Sequence, residues 1–519
     1  MSKTRSARRR RKSVLVQKPS GVLTPRVQAA GPERFGIAMI DVAKARFQSQ
    51  LCDFYGREIL PFAEYDQSRV GCQAFVHALQ HAQRDTPLRD LIVAIERTGE
   101  YHRPIQRAVQ QAGFEVRLVH PFATHHFRQV ANPGIKTDPT DLAAIHRAVV
   151  TGFGLLERVL PPEYLQLQLL TRHRRDLVQK SSTLCCQIKE RLNDSMPGYE
   201  KCFSDFWASV VALPIARATG SAEAVLQLGI PGLANLFERG HWPCHQTTFH
   251  KVAQWAKAAP PCPTQIDILK SVIGNLDDDR RAKITQILEL ERAIAALLVQ
   301  TRFVRLLVVP GINVVGAADL AGEMGPVQHY AHPNAITGRA GHFPSRHQSD
   351  EVDCPDGPMV RSANRRLRAA LMQIADNLVT CNHYFRAKAS TWNAAGKDPR
   401  WVRVKVAKSF SRIAYAVLAG PGPFRHDCLR GDHYVIEKLN QFHVDHGTPS
   451  VQVLTDLRAA IDQLPRTQYA HEAQPWQEQY ERRRTQRRGL QPFSEIILEV
   501  LARLGVGTVE STSEGSGLG

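Results

Sequence analysis

Apolar positions in the first 160 residues alternate between two periods. FGIAMID (35–41) and RFQSQLCDF (46–54) are short and dense in β-formers, and read as strands. GCQAFVHALQHAQR (71–84) repeats its apolar residues at helical spacing. DLIVAIE (90–96) is again strand-like, a helix follows from Tyr101, and EVRLVH (115–120) closes the series. A meander of strands that gives way to alternating strands and helices predicts a mixed α/β sheet with at least one parallel pair.

Beyond Pro161-Pro162 the pattern becomes helical. Leu170, Leu177 and Leu184, with Val178, Cys185 and Leu192 beside them, recur at heptad spacing as far as Asn193. A second run from Asp279 to Arg305 sets Ile284, Ile287, Ile294 and Leu298 on one face. An antiparallel coiled coil, a joint between protomers and ordinary bundle packing all fit these two runs. Residues 196–265, between them, are rich in Pro, Trp and Cys and read as an insertion whose fold the pattern does not define. LLVVPGINVVGAADLAGEMG (306–325) opens a further helical unit that ends at VAKSFSRIAYAVLAGPGPF (406–424). After Arg425 the pattern predicts one helix near 451–464, then a basic run at 482–488 and a Ser/Gly-rich end expected to be disordered. The organisation expected is therefore a basic flexible arm (1–33), an α/β domain (34–160), a helical coiled-coil region with an insertion (161–302), a mainly helical domain (303–425) and a C-terminal extension (426–519).

Charge changes what such a chain can bind. The 519 residues carry 67 Lys and Arg against 49 Asp and Glu, a formal +18, which favours a polyanionic partner over a small neutral substrate. Arg8, Arg9, Arg10 and Arg11 concentrate that charge in the arm, where they can lie along phosphates or simply be solvated. The 10 cysteines form no CxxC pair, there is no signal-peptide core, and no apolar stretch reaches the ~20 residues a membrane span needs, so a soluble cytoplasmic protein with free thiols is expected.

Four acids stand where chemistry is expected. Asp41 ends the apolar run 36–40 and Glu96 ends 91–95; on parallel neighbouring strands both would emerge at one edge of the sheet, where open α/β folds place their sites. Asp138 and Asp141, in KTDPTDLAAI, lie three apart at a helix start. Converging carboxylates repel one another unless a hard divalent cation such as Mg²⁺ sits among them. Pairs of such ions serve phosphodiester chemistry. The same string also suits a plain helix start, with Asp138 as cap, Pro139 in the first turn and Asp141 facing the positive end. Pro310-Gly311-Ile312 between apolar segments resembles a phosphate-holding hairpin turn, and equally an ordinary turn. Arg361, Arg365, Arg366 and Arg368 could contact a DNA backbone or form a solvated face. His241, Cys244, His245 and His250 have the residue types of a zinc site without a recognisable ligand spacing.

IDVAK (40–44), IERTGEYHRPI (95–105) and KTDPTDLAAI (136–145) together resemble the DEDD transposases of insertion-sequence family 110. VPGINVVGAADLAGEMG, AITGRAGHFPSRHQS and ANRRLRAALMQIA resemble that family's transposase domain in the same order. The resemblance covers roughly 34–153 and 303–425. It implies a RuvC-like RNase H fold followed by a mainly helical transposase domain. It further implies a Mg²⁺ site at Asp41, Glu96, Asp138 and Asp141, and a nucleophilic serine shortly after Gly341-His342-Phe343-Pro344. That serine is Ser349, with Ser345 and Ser362 as alternatives; Asp350 follows it where the family usually has Gly. The implied activity is strand exchange through a covalent phosphoserine. The implied partners are donor and target DNA, a structured bridge RNA and further copies of the chain, a dimer assembling to a tetramer at a composite site, in a bacterial, nucleoid-associated setting. Two other functions suit the residues: a RuvC-like junction resolvase in which water attacks, and a nucleic-acid-binding protein without catalysis.

Overall fold

The computed structural model describes residues 21–157, 160–240, 246–260, 266–345, 347–349, 352–354, 357–360, 363–422 and 424–465. The chain divides into two units, one ending at Val159 and one beginning at Leu160.

The first unit is built on a six-stranded sheet in the order β3-β2-β1-β4-β5-β6. Its strands are β1 Phe35–Val42, β2 Arg46–Asp53, β3 Glu58–Asp66, β4 Asp90–Glu96, β5 Glu115–Val119 and β6 Gly154–Leu156. β1 to β3 form the antiparallel meander, while β1–β4 and β4–β5 are parallel. Its helices are α1 Thr24–Ala30, α2 Arg69–Asp85, α3 Arg103–Gln111, α4 Pro121–Ala131 and α5 Asp138–Val150. β3 escaped the sequence reading because its residues are mostly exposed and Pro61 interrupts it, as suits an edge strand. The sheet is covered on both faces, which is why β1 and β4 read as nearly unbroken apolar runs. Ala38, Ile40, Val42, Leu91, Val93 and Ile95 enter the core with α2 and α3. Phe35, Ile37, Met39, Ile92 and Ala94 enter the opposite core with α1 and α5.

The expected arm is corrected over its second half. Leu23, Val27 and Ala30 are buried against Phe35 and Met39, and Arg26 bridges Asp90 at 2.6 Å and Glu115 at 2.7 Å. Burying that apolar face outweighs the freedom of a Pro- and Gly-containing stretch, so it is part of the α/β unit. Arg8 to Arg11 lie outside the described residues.

The second unit is helical. α6 Pro162–Ser195 and α10 Ile266–Leu298 pair within the chain. Leu167 shares a core with Ile294 and Leu298, whereas Ile188 and Leu192 share another with Ile273, so the two run antiparallel. Arg174 holds Glu291 at 2.5 Å along the seam. Between them the insertion folds into α7 Ala212–Thr219, α8 Ala222–Gly240, kinked at Gly229, and α9 Gln246–Ala258, around Tyr199, Val225, Phe237 and Val252. Then come α11 Val314–Met324, α12 Pro333–Ala340, the hairpin β7 His347–Ser349 and β8 Val352–Cys354, α13 Arg365–Cys381, α14 His383–Ala394 and α15 Pro399–Ala419. Among the described residues the extension carries two helices where one was expected, α16 His433–Asp445 and α17 Ser450–Gln463. Val435, Leu439, Leu457 and Ile461 join the core of α11, α13 and α15, so these helices do not stand apart from the unit before them. The expected disordered end and the basic run at 482–488 lie outside the described residues. No helix among the described residues is long and apolar enough to cross a membrane.

Candidate active site

Strand register and side-chain alternation bring Asp41 and Glu96 to one edge of the sheet. Ile40 pairs with Ile95 across the parallel β1–β4 ladder, so Asp41 and Glu96 leave the sheet side by side. Residues alternate between faces along a strand. Asp41 therefore shares the face of Phe35, Ile37 and Met39, and Glu96 that of Ile92 and Ala94, the face covered by α5. The start of α5 supplies the other two acids, and Leu142, Ile145 and Val149 anchor that helix to the sheet.

The helix start is organised differently from the sequence reading. Thr137, not Asp138, is the cap: it accepts from the Thr140 amide while Thr140 Oγ1 accepts from the Thr137 amide. This reciprocal box leaves Asp138 without capping work, exposed in the first turn. Asp141, one turn on, is 4% exposed and ion-paired with Arg128 of α4.

Electrostatics records the convergence. Burial, then Asp141 and Asp138, push the Asp41 carboxyl above its ordinary range. Burial, then Asp41 and Asp141, push Glu96 up to about 7, with Arg128 and Lys136 pulling the other way. Oxygen donors under mutual repulsion suit a hard divalent cation. Among the described residues no three His, Cys, Asp or Glu side chains stand close enough to hold an ion as they lie. Arg128, turned onto Asp141, supplies the positive charge instead. No sequence signal marked Arg128, because the loop that returns the chain from α4 to α5 has no periodicity to follow.

The serine region lies in the second unit. Ser349 ends β7, paired with Val352 across the hairpin. Asp350, Arg361 and Ser362 lie outside the described residues. Ser345 sits at the hairpin base, its hydroxyl donating to the Pro358 carbonyl at 3.0 Å and its backbone tied to Pro358 and Gly357. That places Ser345 in a structural role. Gly341 ends α12 at φ 66°, and a Cβ there would strike Arg368 and Ala363, so both conformation and space call for glycine. His342 is fully buried with neither ring nitrogen hydrogen-bonded, and burial, then Arg368 and Lys408, lower it to about 4.

The sequence grouped three further arginines that the fold separates. Arg365 and Arg366 are exposed at the start of α13. Arg368 instead donates to the carbonyls of Ala340 (2.8 Å), Gly341 and Val360, which clamps the serine-bearing segment to α13. Gly311 has φ 98° and packs on the Asn377 backbone, while Lys438 donates to the Val309 and Ile312 carbonyls on either side of it. The turn is thus held by its own protein contacts. Of the residues weighed for zinc, His250 is exposed on α9 and the other three lie outside the described residues.

An RNase H-like sheet with acids at the ends of two central parallel strands, followed by a helical second unit, is a setting suited to phosphodiester chemistry. Residues 38–197 match a DEDD transposase family and residues 304–390 match the Transposase IS116/IS110/IS902 family. The two matches, in this order along the chain, support an IS110-family transposase. No curated protein sequence matches it.

Proposed function

We propose that this transposase exchanges DNA strands through a covalent phosphoserine at Ser349, assisted by divalent cations at Asp41, Glu96, Asp138 and Asp141. The observation that carries the acid site is the shared edge of β1 and β4, where, besides burial, Asp41 and Asp141 raise the proton affinity of Glu96, and Asp141 and Asp138 that of Asp41. Mg²⁺ held by these oxygens would supply Lewis-acid stabilisation of the phosphate's developing charge. To hold such an ion, Asp141 would have to give up Arg128 and Asp138, exposed and free of capping, would have to turn inward.

Attack by the Ser349 hydroxyl forms an Oγ–P bond as the P–O bond to the departing nucleotide breaks, and the hydroxyl proton ends on the departing oxygen. The phosphoester keeps the cleaved bond's energy, so a strand hydroxyl can reverse the step without ATP. Arg365 and Arg366 are suited to hold DNA phosphates, and Arg8 to Arg11 would add charge for a nucleic-acid backbone. Family resemblance supports a bridge RNA that pairs with donor and target DNA. It also supports a dimer assembling to a tetramer, with serine and acids contributed by different protomers.

The test is a denaturing gel of labelled donor DNA incubated with protein, Mg²⁺ and guide RNA. A protein–DNA adduct, lost in Ser349→Ala and in Asp41→Asn, is expected. Hydrolysed DNA with no adduct would establish water as the nucleophile and the resolvase reading in its place.

A further inference from the structure

α15 divides its residues between two faces. Val402, Val406, Phe410, Ile413 and Val417 are buried against the core of the second unit. On the other side Trp401, Lys405, Lys408 and Arg412 follow at spacings of four, three and four, so at 3.6 residues per turn they fall within about 60° of arc over about 16 Å of helix. Lys397, one turn before, extends the row. The Lys405 ammonium lies 4.7 Å from the centre of the Trp401 ring and the Lys397 ammonium 5.8 Å, so the indole orders two of the charges.

Among the described residues these cations have no counter-charge of their own. Arg403 pairs with Asp376, and Asp398 is occupied in capping the helix through the Arg400 and Trp401 amides. Among the described residues no carboxylate pairs with Lys397, Lys405, Lys408 or Arg412. Like charges at helical spacing destabilise one another, and Lys408 registers this: burial, then Lys405 and Arg412, weaken its hold on its proton. Lys408 is also near enough to His342 to lower that residue's proton affinity, which puts the middle of the row beside the segment leading to Ser349.

We infer that this face of α15 is a phosphate track for the duplex DNA flanking the cleavage site. A row of ordered, unneutralised cations fits a regularly spaced polyanion, and the position beside the serine-bearing segment selects DNA as that polyanion. The inference rests on the serine reading for the choice of DNA and for where on it the track lies; the binding itself does not need Ser349 to react.

The test uses full-length protein and a fluorescent DNA duplex, with affinity measured by anisotropy between 50 and 200 mM salt. Each phosphate contact contributes about 0.9 to the slope of log affinity against log salt on duplex DNA. Lys405→Gln/Lys408→Gln/Arg412→Gln is expected to lower that slope by about 2.7, and Lys405→Gln or Arg412→Gln alone by about 0.9. An unchanged circular-dichroism melt shows the variants folded, and the single substitutions at exposed positions serve if the triple does not fold. A control triple on the first unit, Arg69→Gln/Arg84→Gln/Arg89→Gln, is expected to move the slope much less. An equal loss in the control would mean bulk charge and would overturn the assignment. So would an unchanged duplex slope, including the case in which only binding to structured RNA or to an acidic protein weakens. Absence of a Ser349 adduct in the wild type, together with the expected drop in slope in the variants, would count against the serine reading alone.

Discussion

Arg128 of α4 donates through Nη1 to Oδ1 of Asp141, an ion pair with only 12% and 6% of the two side chains exposed. The same guanidinium also opposes the rise in Glu96. It therefore acts as the counter-ion of an acid cluster that a divalent cation would otherwise neutralise.

Replacing it should separate stability from metal affinity. Arg128→Ala leaves a buried carboxylate unpaired, a change that typically costs about 3–5 kcal/mol, so without metal the melting temperature should fall. The variant should recover more stability than the wild type as Mg²⁺ is added, because no cation has to be displaced. Thermal melts over a Mg²⁺ titration read both effects. Identical Mg²⁺ dependence in the two proteins would remove Arg128 from the metal site.

Asp138 and Asp141 should part company when neutralised. Asp138 is exposed and does no capping, so Asp138→Asn should change stability by no more than about 0.5 kcal/mol. Asp141→Asn loses the Arg128 pair and should melt earlier. Both should abolish strand exchange and the extra stability Mg²⁺ confers. Full exchange by Asp138→Asn would restrict the metal set to the other three acids.

His342 should make the second unit acid-sensitive. Its folded pKa, about 4, lies below the ordinary 6.5, so between those values the unfolded chain binds the proton that the folded chain refuses. Its contribution to stability is therefore greatest above pH 6.5 and declines as pH falls towards 4. His342→Leu removes that dependence and two unpartnered buried nitrogens, which cost about 1–3 kcal/mol each when unsatisfied. Denaturant melts at pH 7.5 and 5 should show the variant more stable at both, with the larger difference at 5. Equal slopes would point to a hydrogen-bonded ring in solution.

Glu323 ties three helices at one buried point. It takes Arg172 of α6 at 2.7 and 3.1 Å and Asn364, the cap of α13, at 3.3 Å. Glu323→Ala should cost about 3–5 kcal/mol by stranding Arg172 and loosening that cap. Arg172→Met/Glu323→Leu should recover much of the loss in a urea melt. No recovery would mean that the Asn364 contact, not the ion pair, dominates.

The α1 helix offers a check on the N-terminal boundary. Leu23 is 1% exposed against the sheet, so Leu23→Ala should destabilise the first unit by about 2–5 kcal/mol, whereas a flexible arm would tolerate it. A melt unchanged by the substitution would return the segment to the arm.

Local periodicity and the order of elements dictated part of this architecture. The apolar runs ending in Asp41 and Glu96 had to be buried strands, and the alternation with helices required a parallel pair, so the shared sheet edge was legible before any coordinates. The heptad-like leucines likewise announced two long helices. Tertiary structure decided everything that depends on which surfaces meet. α1 became part of the α/β unit because Leu23 and Val27 found an uncovered sheet face, which no local pattern announces. α16 was unreadable for the same reason, since its short apolar stripe acquires meaning only against α11, α17 and the 302–308 segment. Thr137 displaced Asp138 as cap because Thr140 could answer it. Arg128 reached Asp141, thirteen residues on, only because α4 and α5 pack together, and a long side chain's partner is chosen by that packing and by the charge it must neutralise.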